Sequence, residues 1–364
     1  MSTTPAPTPT DLSDDQVFDH AVSLVSRPKS APANSFELHA PLELLARRIL
    51  LDRVEPGRRE AARERITWVA DTYARSGESV ADNEPEPPAI AADELVACLS
   101  AAGHAPIYSM LLPRVAPRSP GANALARPLM HELNRYRDLK IEWIDTQPFT
   151  GSGDEQALTR ALLDTPHLGV PGSDFIFPLM HQVDSKGVAA DVIGPVLGAA
   201  TDPSAVARVV ARVAAWSMLQ DDPAHAPYGW THCLTLAQAA AAMATSTTVP
   251  ARALAVAATH VVGFRAGLSN TTVIDRYEPE PVGIDALEAF DASPQIAAAA
   301  VHHAPPDTVA AITTELASRA ALHPDAHVAK YTLACFDAAD ADPDHERMFL
   351  SAAAFLHGWW AQAD

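Results

Sequence analysis

The chain is short of lysine and cysteine, and each shortage narrows what it can be. Four lysines, at 29, 140, 186 and 330, occur in 364 residues, and Lys plus Arg number 26 against 45 Asp plus Glu. The resulting formal charge of −19 argues against nucleic acid as a partner, because phosphate contacts need clustered cations. Three cysteines, at 98, 233 and 335, form an odd set without CxxC spacing. Neither a disulfide framework nor a structural zinc cluster is expected, and the set suits a reducing cytoplasm. No apolar run approaches the roughly 18 residues of a membrane span; the nearest, 236–263, is broken by Ser, Thr, Pro250 and Arg252. Residues 1–12 are rich in Ser, Thr and Pro, with no basic start and no apolar core. They read as a disordered tail, not a signal peptide. A cytoplasmic protein without a membrane partner is the expectation.

Familiar catalytic signatures are missing too. The chain has no GxGxxG after a strand, no Walker loop, no GxSxG elbow, no HExxH and no HxE…PCxxC, so a tightly held dinucleotide is not expected.

What is present is helical pattern. Leu42, Leu45 and Ile49 recur at helical spacing, with Pro41 suited to a first helical position. Val206, Val209, Val210, Val213 and Trp216 form a stripe behind Asp202-Pro203. Further helices are expected at 66–73, 92–101, 106–112, 125–136, 235–244, 251–268, 285–301, 309–322 and 349–360. The alternating Leu139–Trp143 is the best strand candidate, and 146–175, rich in Gly, Pro, Asp and Thr, reads as a loop or lid. The expected fold is all-α: one large bundle-like domain over 13–364 with Pro-rich loops. His-Ala-Pro recurs at 39, 104, 225 and 303, at intervals that define no solenoid.

The chemistry gathers on Asp325-Ala-His327-Val-Ala-Lys330. His327 and Lys330 fall at i and i+3 on one helical face, behind Asp325 as the N-cap. Such a pair reads either as a capping imidazole with an amine snorkelling to water, or as part of a site. Fifteen histidines supply partners. Helical bundles build metal sites from facing helices without a compact motif, and imidazoles joined by one anionic oxygen suit Fe(II), with zinc or manganese as alternatives. The anionic donor is missing, since no carboxylate stands at i+3 or i+4 from His39, His232 or His327 except Glu43.

Asp325-x-His327-x-x-Lys330-x-Thr332-x-Ala334 resembles the C-terminal signature of the questin oxidase-like proteins. Three further segments are similar to that family in the same order. They are His39-Ala-Pro41 with the following Trp68-Val69 and Tyr73, then His131-x-x-x-Arg135, then His232-x-x-Thr235. The likeness runs from 39 to 335 and departs from the family pattern at Leu38, Leu42, Glu132 and Leu333. It implies an all-α oxygenase that opens the ring of anthraquinone-type aromatic polyketides with O2. It also implies a non-haem iron held by His39, His131, His232 and His327 together with a carbamate on Lys330. His104 rivals His131 as a ligand, with His260 and His323 in reserve. Tyr228, Trp230 and Phe264 are candidates to hold a flat substrate, with core packing as the alternative for each. NADPH would serve as a diffusible reductant. Phe355-Leu356 with Trp359-Trp360 offers a patch that either the core or the partner of a homodimer would bury. Two other readings fit the same residues: a helical scaffold that has lost the metal, and a zinc hydrolase.

Overall fold

The computed structural model describes residues 12–81, 104–136, 140–146, 149–169, 176–198, 202–222, 225, 227–244, 250–267 and 272–363. The expected helix at 92–101 and almost all of the expected tail lie outside them. Among the described residues the chain is all-α, with no strand beyond isolated bridges such as Lys29–Ser79.

The first helices are α1 (Asp14–Val25), α2 (Ser35–Leu50), α3 (Arg59–Arg75), α4 (His104–Val115), α5 (Ala126–Arg135) and α6 (Trp143–Thr146). Next come α7 (Glu155–Leu163), α8 (Ile176–Ser185), α9 (Val188–Ile193), α10 (Pro203–Gln220) and α11 (Tyr228–Ala244). The last are α12 (Pro250–Gly267), α13 (Pro294–His302), α14 (Val309–Leu322), α15 (Ala326–Ala341) and α16 (Glu346–Ala363).

Local chemistry sets the starts. Ser13 with Gln16 and Asn34 with Glu37 form reciprocal capping boxes on α1 and α2, satisfying two otherwise unpaired amides each. Asp202 and Ser293 cap α10 and α13, each followed by proline at the first position, where its missing N–H costs nothing. Pro41 departs from expectation. Asn34 caps α2 so that the helix begins at Ser35, six residues earlier, and Pro41 lies inside it, where it removes one i→i−4 hydrogen bond. Of the strand expected over 139–143, residue 139 lies outside the described residues and the rest forms no strand: Trp143 opens the short α6, fixed by Asp184, whose carboxylate accepts from the Glu142 and Trp143 amides at 2.7 and 3.0 Å. Within the expected loop 146–175, Asp154 caps a real helix, α7, whose Leu158 and Leu162 reach the core.

The centre of the molecule is α12, buried along nearly its whole length, as an Ala- and Val-rich helix without a polar face must be. Around it, α11 packs on α10, α12, α4 and α15, while α2 packs on α4 and α15. Thus α2, α4, α11 and α15 close a ring of four helices, each touching the next.

Candidate metal centre

Each helix of that ring carries one histidine in its first two turns: His39 on α2, His104 on α4, His232 on α11 and His327 on α15. Their rings meet in the interior. Ring centroids lie 4.6 Å apart for His39 and His104, 4.5 Å for His39 and His327, and 5.0 Å for His232 and His327. His232 stands 6.2 Å from His39 and 6.3 Å from His104. Potential donor atoms of His39, His104 and His232 all lie within 4.8 Å of one another.

Backbone and carboxylate partners fix how three of these rings point. The Nδ1–H of His39 donates to the Ser35 carbonyl at 2.6 Å, and that of His232 to the Tyr228 carbonyl at 2.8 Å. His327 Nδ1 meets Asp325 Oδ1 at 2.9 Å, and the same oxygen accepts the His327 amide at 2.7 Å. Asp325 is therefore both the expected N-cap and the group that orients the ring. With Nδ1 engaged as donor, Nε2 keeps its lone pair, which is how metal-ligating histidines are commonly held. His39 Nε2 is buried and has no hydrogen-bond partner.

Lys330 completes the cluster from α15, one turn beyond His327. It is 5% exposed, and among the described residues its ammonium makes no hydrogen bond or ion pair. Burial pushes its pKa down to about 8, against the pull of Asp325 and Glu43. Burial and then the Lys330 charge hold His39 well below the ordinary imidazole value. Burial, His327 and Lys330 do the same to His232, and His327 is lowered by burial and Lys330. Around pH 7 these imidazoles are neutral, the form that binds a metal.

Among the described residues the cluster has no free anionic oxygen. Glu43 is 1% exposed, but its Oε1 takes the Arg47 guanidinium at 2.6 Å and that of Arg65 at 3.4 Å. Asp325 is committed to His327.

His131 stands elsewhere. It lies on α5 and lines a narrow crevice with Lys29, Glu37, Tyr73 and Glu132. The motif around it is structural: Arg135 donates to the carbonyls of Lys29 and Ser30 at 2.7 and 2.8 Å and pairs with Glu132, bracing the loop that leads into α2. His104 takes the position expected of His131. His260 is buried on α12, its Nδ1 on the Val256 carbonyl at 3.0 Å, outside the cluster. His323 packs edge-on against Trp360 at 5.1 Å. Trp68 and Tyr73 are structural as well: Trp68 stacks under Arg65, and the Tyr73 hydroxyl donates to the Arg27 carbonyl at 2.9 Å.

Of the expected aromatic residues, only Tyr228 reaches the cluster, with its ring 5.0 Å from that of His327. Trp230 and Phe264 pack on each other at 5.9 Å, and the Trp230 Nε1–H donates to Asp221. Tyr228 also meets Trp359 at 5.9 Å and Trp360 at 6.1 Å. These half-buried rings form an aromatic wall beside His327, and the C-terminal tryptophans are thereby covered in part by this chain itself. No helix among the described residues is long and apolar enough to cross a membrane. No family model, curated protein or solved structure matches the chain.

Proposed function

We propose that the protein is a non-haem iron oxygenase acting on a flat, hydroxylated aromatic substrate of the polyketide type, which it opens with O2. The observation that carries this reading is the meeting of four imidazoles, one from each helix of a closed ring, beside a buried and unpaired lysine. His39, His104, His232 and His327 would hold the ion, and bound Fe(II) would supply activation of O2.

Lys330 has a further role in this reading. Its neutral amine attacks CO2, forming a carbamate and releasing one proton, and the new N–C bond places an anionic oxygen donor where no carboxylate of the described residues is free to serve. Asp325 keeps His327 in one tautomer and one orientation. Tyr228, Trp359 and Trp360 offer edges and faces to a planar substrate. A diffusible reductant such as NADPH remains part of the proposal. A metal-free scaffold would gain nothing from an amine buried unpaired, which costs stability.

The test is anaerobic loading of the purified chain with Fe(II) in bicarbonate buffer, followed by oxygen-electrode measurements with a panel of hydroxyanthraquinones. Close to one iron per chain and substrate-dependent O2 uptake are expected. Zinc bound in preference, with ester hydrolysis and no O2 uptake, would favour the hydrolase reading; no bound metal would favour the scaffold.

A further inference from the structure

Below the histidines, the same bundle opens into a second space. A cavity of about 320 Å³ lies among α4, α10, α11, α15 and α16. None of the four histidines lines it, nor does Lys330. Gln238 is six residues beyond His232 and Asp337 seven beyond Lys330, which at 1.5 Å per residue puts its walls roughly 10 Å further along the helices.

Met110, Ala211, Ala241, Ala338 and Phe349 make its surface largely apolar. The charges at its edge are already matched within the chain. Asp337 pairs with Arg114 at 2.6 Å, Asp342 with Arg212, and Arg208 with Glu155 at 3.3 Å. An ionic ligand would have to break one of these pairs. Beside the exposed Ser204 at the rim, one buried polar group is left over. Gln238 donates from Nε2 to the Ala334 carbonyl at 2.7 Å, which fixes the amide orientation because a carbonyl only accepts. Its Oε1 is buried without a partner. A slight shift of the unbranched side chain that keeps the Nε2 bond would bring Oε1 to a donor placed in the cavity.

We infer that this cavity is a separate binding site for a compact, neutral, mostly apolar molecule carrying one hydroxyl, held by the alanine walls and by Gln238 Oε1. The volume sits at the small end of ligand pockets, roughly 300–1,000 Å³, which admits a ring system of two or three rings and not a nucleotide cofactor.

The probe is 2-naphthol, followed by its own fluorescence on the metal-free full-length protein, with 2-methoxynaphthalene as the partner lacking a donor. Saturable binding of 2-naphthol is expected, tighter than the ether by roughly fivefold, the worth of one net hydrogen bond. Gln238→Leu should bring the two to equal affinity. Ala241→Phe, and Ala207→Leu from the facing wall, should each weaken both by about tenfold or more by filling the space. Circular dichroism melting identifies any variant that fails to fold, and the other filling variant then decides. Metal content should stay as in the wild type in both. No saturable binding, binding indifferent to both filling variants, binding lost instead in Tyr228→Ala, or loss of metal in a folded filling variant would each overturn the inference.

Discussion

The rings of His39 and His327 stand 4.5 Å apart, although one sits near the start of the described chain and the other near its end. The approach is enforced beside them. Arg47, two turns beyond His39, donates to Glu43 and to the carbonyls of Ala321 and His323 at 2.5 and 2.6 Å. It therefore closes the C-terminal end of α14 and fixes the turn that delivers Asp325 and His327.

Replacing Arg47 with Met should be among the costliest single changes, because it strips a buried Glu43 of its main partner and frees several carbonyls. The loss expected is about 3–5 kcal/mol, read from urea denaturation. A change below about 1 kcal/mol would mean that the network does not carry the turn.

His104 and His131 separate the geometric site from the order of motifs. His104→Ala should abolish most metal binding, whereas His131→Ala should leave it intact, both measured by elemental analysis of folded protein. The reverse pattern would return the second ligand to α5.

Asp325→Asn isolates orientation from capping. Asparagine caps a helix as well as aspartate does, so the melting temperature should barely move. The group that orients His327 loses its charge, and metal affinity should fall roughly 10- to 100-fold in competition with a chelator. Unchanged affinity would make Asp325 a cap alone.

Lys330 gives the metal-free protein a pH signature. Burial places its pKa at about 8, below the usual 10.5. Between those values the unfolded chain binds more protons than the folded one, so stability rises with pH across that window. Below about 8 the cost of the buried charge is fully present, on the order of 3 kcal/mol. In CO2-free buffer, Lys330→Met should exceed the wild type in stability at pH 7, with the gap narrowing by pH 10. A gap that does not change with pH would place the amine in water.

The helices were legible because their signals are local. Asp325 before an apolar helix, and His327 with Lys330 at i and i+3, can be read from a dozen residues. Asp154 followed by Leu158 and Leu162 was equally local, but the Gly and Pro around it concealed α7. The strand reading at 139–143 rested on too few alternations to outweigh Asp184, a contact from another segment. His104 could not be separated from His131 by spacing, since nothing near either residue records that α4, and not α5, closes the ring with α11. The aromatic wall was hidden for the same reason: Trp359 and Trp360 lie far in sequence from Tyr228.

The most direct measurement is X-ray absorption at the iron edge of protein loaded with one equivalent of Fe(II) in bicarbonate, compared with Lys330→Ala. The expected result is a first shell dominated by imidazole, with the multiple-scattering pattern of several histidines and an oxygen contribution that Lys330→Ala loses. A shell of oxygen scatterers without imidazole features, or a spectrum unchanged by the substitution, would contradict a metal centre built from His39, His104, His232, His327 and Lys330.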